Sequence, residues 1–155
     1  MQLVEKQHDV TKLPTRYVIA HCISCDCAMG AGVVIPIRQK FPFLKMYCLE
    51  YVRLHPDALG TAYRHKNAAV GVVYNLFSKQ YVYHKAGFGV SYNEYLLNLE
   101  KCLIDMKNQM IEYGETTLGI PKIGCGLDGC KWEDVKNTIE NVFKDTDINI
   151  LVCYL

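Results

Sequence analysis

The sequence predicts an α/β fold, a mixed sheet sandwiched between helices, and three observations carry that prediction. Apolar runs of strand length alternate with helix-period segments through most of the 155 residues. Two of those runs break into glycine-rich loops, at 22–32 and 121–129, and each loop leads into a helical pattern. Two further runs, 61–65 and 68–77, flank Lys66-Asn67 as a hairpin, which requires an antiparallel pair beside the parallel ones. Folds of this kind bind ligands at the carboxyl ends of their strands, where both glycine loops would meet. The length suits one domain, residues 1–155, with a core of its own.

Leu3 to Lys6 reads as a short opening strand running into His8, Asp9 and Val10. Asp9, just past a strand end, suits a turn or an acceptor for a ligand amine. Residues 17–21 form a continuous apolar run with β-branched members, the pattern of a central strand covered on both faces. After the loop that follows, Gly30, Ala31 and Gly32 open a helix carrying Val33, Val34, Ile37 and Phe41 inward. Pro36, about a turn inside it, is expected to shorten or kink it. A further short helix begins at Phe41-Pro42-Phe43, with Leu44, Cys48 and Tyr51 on one face, and 55–60 reads as a loop. The second hairpin strand ends at Ser78, Lys79 and Gln80. Residues 81–90, rich in aromatics and glycine without clean periodicity, suit either a loop that closes over a ligand or a solvated one.

Ser91 and Glu94 form a capping box, and the helix behind them is the clearest in the chain. Leu96, Leu99, Leu103, Met106 and Met110 make its buried stripe, with Lys101, Asp105, Asn108 and Glu112 opposite. Gly114 ends it. Thr117 to Ile120 reads as a buried strand feeding the second glycine loop. A last helix from Trp132 turns Val135, Ile139 and Val142 inward, and 148–155 closes the chain as a strand.

Half of the residues are hydrophobic, 21% are charged, and the net charge is +1. No strong field advertises a nucleic-acid or membrane surface, so a bound anion would be held by backbone dipoles rather than massed lysines. The first eight residues lack an apolar signal core and no run approaches membrane-spanning length, so a soluble, cytoplasmic protein is expected. Eight cysteines without a secretory signal read as free buried thiols. Cys22, Cys25 and Cys27 beside His21, with Cys125 and Cys130 as a second pair, raise a zinc alternative; the preferred reading has no metal.

A strand that opens into a glycine-rich loop and then a helix holds phosphate. Glycine lets the backbone come close, and consecutive N–H groups face the anion. Ser24 and Asp26 lie near the first loop's mouth, and His21 suits either a core position or the site. Asp128 lies within the second loop, as a turn residue or as a carboxylate acting on whatever the amides hold.

Together, His21-Cys-Ile-Ser-x-Asp-x-x-Met-Gly-Ala-Gly32 and Pro121-Lys-Ile-Gly-Cys-Gly-Leu-Asp128 resemble the macrodomain family, in particular its terminal ADP-ribose protein glycohydrolase branch. The likeness runs from about Leu3 to Leu155. It implies a three-layer α/β/α sandwich that binds ADP-ribose in a cleft between the loops. By that likeness Gly30, Ala31 and Gly32, with Gly124, Cys125, Gly126 and Leu127, would take the diphosphate and distal ribose. Asp9 and Val10 would recognise adenine, with Leu155 near the same base. His21, Ser24, Met29, Ser78, Pro121 and Ile123 complete the expected binding set. The branch's catalytic lysine and aspartate match Lys79 and Asp128. The asparagine-rich loop of other macrodomain hydrolases is replaced here by His21-Cys-Ile-Ser24. His8 stands where a glycine is common, Pro36 is unusual, and 80–92 is slightly long.

The resemblance implies ADP-ribosyl ester hydrolysis, with ADP-ribose and ADP-ribosylated protein or nucleic acid as partners, no cofactor, no membrane, and a monomer. The alternatives are a reader that binds ADP-ribose without turnover, an O-acetyl-ADP-ribose deacetylase, a nucleic-acid ADP-ribosyl hydrolase, and a phosphatase of ADP-ribose phosphate.

Overall fold

The computed structural model describes residues 1–155. Its strands are β1 (Gln2–Gln7), β2 (Val18–Ser24), β3 (Ala62–Asn67), β4 (Gly71–Lys79), β5 (Lys85–Ala86), β6 (Gly89–Val90), β7 (Thr117–Ile120) and β8 (Asn149–Tyr154). The helices are α1 (Val34–Lys40), α2 (Leu44–Leu54), α3 (Tyr92–Glu112) and α4 (Trp132–Phe143). One six-stranded sheet runs in the order β1-β8-β7-β2-β4-β3, and β5 and β6 form a separate small pair. Every neighbouring pair in the large sheet is parallel except β3 with β4, so the sheet is mixed.

Alternation along the central strands builds the three layers. Val18 and Ala20 of β2, with Val72, Tyr74 and Leu76 of β4, face α3 and α4 in a cluster of 23 buried residues. Ile19 and Ile23, with Val73 and Phe77, face α1 and α2 in a second cluster of 16. Each fully buried side chain of this size stabilises the fold by about 1.5–3 kcal/mol, and a strand covered on both faces therefore reads as one apolar run. In β7, a Cβ on Gly119 would lie 2.3 Å from Leu13 Cδ1, so glycine there admits the packed leucine.

Several local expectations change. The hairpin turns at 68–70, with Asn67 Oδ1 accepting from the N–H groups of Ala69 and Val70, rather than at Lys66-Asn67. Helix α1 begins at Val34, two residues after Gly32, which places Pro36 in its first turn. A first-turn N–H has no intrahelical partner, so the proline neither kinks nor interrupts the helix. Asp105 is half-buried rather than on a solvated face, and its Oδ2 accepts from Ala62 N at 2.8 Å, capping the first donor of edge strand β3. Ser91 does cap α3, accepting from Glu94 N at 3.1 Å. No helix is long and apolar enough to cross a membrane.

Candidate functional site

Strands β2, β4 and β7 end along one edge of the sheet, and the segments leaving them enclose a cavity of about 380 Å³. Its walls come from 22–24 and 29–34, from 121–128, and from Lys79 with 82–85. The two glycine loops, remote in sequence, close on each other: a Cβ on Gly32 would lie 4.0 Å from Leu127 Cδ1.

The first loop is held in an unusual backbone path. Cys27 and Met29 have φ of 53° and 51°, left-handed values that cost a non-glycine residue on the order of 1 kcal/mol. Burial of both side chains and three clamps offset that cost. Arg38 donates to Met29 O at 3.0 Å, Lys45 donates to Ala28 O at 3.4 Å, and Asp26 Oδ1 accepts from Ser24 Oγ and Ala28 N. Asp26 Oδ2 accepts from Val82 N at 2.9 Å, which fastens the 82–85 segment to the loop. Burial pushes the Asp26 carboxyl up, but these bonds outweigh it and hold the group below its ordinary value.

In the second loop Gly124 has φ of 72°, and a Cβ there would press at 3.4 Å on Tyr95 and Leu99. Gly126 differs: no atom lies within 4 Å of where its Cβ would be. Packing does not require glycine at 126, and its bare backbone is open to a close-approaching group.

Lys79 leaves the sheet ladder at a register irregularity in which Ile23 pairs with Phe77 and Ser24 with Lys79. Its Nζ donates to Val82 O at 2.9 Å, His84 O at 2.9 Å and Asp128 Oδ1 at 2.6 Å. Asp128 Oδ2 accepts from the Tyr95 hydroxyl, and its main-chain oxygen accepts from Ala86 N at 2.8 Å. The two side chains are only 10% and 13% exposed, so they form a largely desolvated ion pair with its remaining valences hydrogen-bonded. Cavity-lining Cys22 and Cys125 are a different case. Burial pushes their thiols up to about 12 and about 11, so both stay protonated and weakly nucleophilic.

Lys79 and Asp128 share the cavity with Ser24, Met29, Gly30, Ala31, Gly32, Pro121, Ile123, Gly124, Cys125, Gly126 and Leu127. Five expected residues lie outside its lining. His21 is fully buried, its Nε2 2.7 Å from Asn75 Oδ1. Ser78 is fully buried, its Oγ 3.1 Å from the Tyr95 hydroxyl. Asp9 caps a short 3-10 turn, Val10–Lys12, and the bond from Thr11 Oγ1 holds its carboxyl below the usual value. Val10 is packed into the core, and Leu155 is 93% exposed. All eight cysteines are free, and no three His, Cys, Asp or Glu side chains are grouped to hold a metal.

Val34, Val82, Tyr83, His84 and Lys85 also line the cavity and carry no motif that marks them, and Lys122 lines it from within the second glycine loop's motif. Aromatic density at 81–88 was the available signal for part of this set. Tyr81 and Tyr83 stack at 5.6 Å between ring centroids, and His84 meets both edge-on.

A family model described as Macro domain matches residues 20–139. The human protein named ADP-ribose glycohydrolase OARD1 is 35% identical over 144 residues, 93% of this chain and 86% of that protein. An ADP-ribose 1''-phosphate phosphatase of Candida albicans is 21% identical over 138 residues, 88% of each chain. Among solved structures, the macrodomain of Mycobacterium tuberculosis DarG matches with a TM-score of 0.84 at 16% identity, covering 99% of this chain and 98% of that one. Thermosipho africanus DarTG in complex with ADP-ribose matches with a TM-score of 0.74 at 16% identity, over 90% of this chain and 38% of that one. The last two share the three-layer fold.

Proposed function

The chain belongs to the Macro domain family, and from that premise we propose that it is a hydrolase that binds ADP-ribose and releases it from ester-linked acidic side chains. One observation carries the reading: a desolvated Lys79–Asp128 pair lies at the cavity where the two glycine loops close on each other. The diphosphate lies against the amides around Gly30, Gly32 and Gly126, the positions with the least side chain to exclude it. Adenine lies toward Asp9, whose Oδ2 accepts no bond from the protein, with Val10 and the β8 end at Leu155 alongside. The enzyme acts as a cytoplasmic monomer on ADP-ribosylated protein, without metal or cofactor.

The ester presents an anomeric carbon bearing a carboxylate leaving group. Lys79 Nζ passes one proton to Asp128 Oδ1 across the 2.6 Å bond, leaving an amine and a carboxylic acid. The amine attacks the anomeric carbon as the bond to the ester oxygen breaks, and the departing carboxylate takes the bonding pair and the Asp128 proton. The sugar is then joined to the lysine nitrogen. Water adds to the anomeric carbon with Asp128 taking its proton, the carbon–nitrogen bond breaks, and that proton returns to Lys79. Attack requires the ammonium to release Val82 O and His84 O, so the 82–84 segment has to shift when substrate enters.

The test is ADP-ribose release from a glutamate-modified protein. Wild type is expected to turn over, while Lys79→Ala and Asp128→Ala bind ADP-ribose but release it about 10²–10⁴-fold more slowly. Equal release by all three removes the assigned roles. The engagement of all three Lys79 N–H groups favours a second reading, a binder without turnover. Tight binding with no release from protein, nucleic-acid or O-acetyl substrates selects that one.

A further inference from the structure

Behind the Lys79–Asp128 pair stands a buried phenol that the reaction above does not use. Tyr95, on the first turns of α3, is fully buried. Its hydroxyl donates to Asp128 Oδ2 at 2.5 Å and lies 3.1 Å from Ser78 Oγ. The same ring lies beneath the second loop, where a Cβ on Gly124 would stand 3.4 Å from Tyr95 Cε1 and 3.5 Å from its hydroxyl oxygen. One rigid side chain therefore stands beside Gly124 of the second loop, close enough to leave no free room for a side chain there, and bonds the carboxylate that faces the lysine.

A carboxylate at a loop tip rotates about its side-chain bonds unless both oxygens are engaged. Lys79 holds Oδ1, and during the reaction Lys79 must let go of it. At that moment the Tyr95 hydroxyl is the remaining side-chain donor to Asp128. Its donor role is secure, because burial above all, with Cys22 and the Asp128 charge and bond adding to it, pushes the phenol far above its ordinary value, so it keeps its proton. Ser78 Oγ fixes the hydroxyl from the other side, and β4 and α3 fix both residues.

We propose that Tyr95 is a positioning residue: through its bond to Oδ2 it holds Asp128 with Oδ1 toward Lys79 and the departing group, and through its ring it sets the distance from that carboxylate to the Gly124 loop. The proposal rests on the hydrolase reading and adds a residue that no motif marks. Tyr95 does not line the cavity and acts only through Asp128 and the loop.

Tyr95→Phe keeps the ring beneath Gly124 and removes only the hydroxyl. Steady-state release is expected to show kcat at least tenfold lower, with KM and the ADP-ribose dissociation constant within twofold of wild type. In an Asp128→Asn background the same change is expected to cost less than twofold, because there is no longer a catalytic carboxylate to hold. A purely structural tyrosine would lower activity by the same factor in both backgrounds. Proton NMR gives a readout independent of turnover. A far-downfield hydroxyl resonance is expected in wild type, absent in Tyr95→Phe and moved upfield in Asp128→Asn.

Wild-type kcat in Tyr95→Phe, a raised KM with kcat unchanged, or equal losses in both backgrounds overturns the role while leaving the hydrolase reading intact. The absence of the resonance overturns the bond itself. A wild type that shows the resonance but releases no ADP-ribose from any ester overturns the hydrolase reading, and this role with it.

Discussion

His21 lies in the middle of β2, sealed from solvent, with Asn75 on the neighbouring strand. Asn75 Nδ2 donates to the main-chain oxygens of Tyr63 and Val73, so its Oδ1 is the acceptor and His21 carries its proton on Nε2. Burial, partly offset by that bond, pushes the imidazole down to about 4. Its folded value lies below the unfolded 6.5, so the unfolded chain binds more protons between pH 6.5 and 4. Stability contributed by His21 is complete above pH 6.5 and is lost as pH falls through that window, on the order of 3 kcal/mol at most. Urea midpoints at pH 7 and pH 4.5 are expected to differ more for wild type than for His21→Gln, whose amide can still donate to Asn75. Identical pH dependence in the two proteins would show that another group titrates. The sequence marked His21 as a core residue or a ligand contact, and the Asn75 pairing, set by strand register 54 residues away, decides for the core.

Residues 81–90 show what an element can do that its composition does not announce. The segment folds as two paired two-residue strands, β5 and β6, with Gly87 and Gly89 at φ of 88° and 76°. It is fastened at three places: Val82 N to Asp26, Ala86 N to Asp128 O, and the Lys79 ammonium to Val82 O and His84 O. A Cβ on Gly89 would lie 2.3 Å from His84 Cδ2 on top of an unfavourable φ. Gly89→Ala is therefore expected to displace His84, remove one acceptor from Lys79 and change kcat several-fold. The melting temperature should move by no more than a few degrees, because the segment adds no buried member to either core and only Ala86 and Val90 pack against one. A loss of tens of degrees would show that the segment is part of the core. Glycine and aromatic content announced an irregular element here. Its pairing partner and its fastenings are contacts with distant residues, which composition does not carry. The hairpin is a smaller instance: two apolar runs located both strands, while the hydrogen-bonding side chain of Asn67 set the turn at 68–70, two residues later than Lys66-Asn67.

At the scale of the molecule, two apolar clusters share one sheet, and the cavity lies where the parallel strands end between them. A ligand that joins both loops binds only the folded chain, so ADP-ribose at 100 times its dissociation constant is expected to add about 2.7 kcal/mol of stability. For a chain of this length that amounts to roughly 5–10 °C in melting temperature. Adenosine, lacking the diphosphate, is expected to produce a much smaller shift at the same concentration. Equal shifts for the two ligands would place the binding energy outside the glycine loops.

What the sequence determined by itself was local: which runs are strands, where α3 is capped at Ser91, and which two loops have a backbone bare enough to receive an anion. Those properties depend on periodicity and on residues within a turn of one another, and a linear chain displays them directly. The family resemblance had already joined Lys79 and Asp128 in one site; only the tertiary structure decided that they meet at 2.6 Å across 49 residues, that Asp26 reaches Val82 across 56, and that Tyr95 stands behind the pair. Such meetings depend on strand order and register. These are settled by how two apolar faces pack against helices, not by any feature of the residues that finally touch.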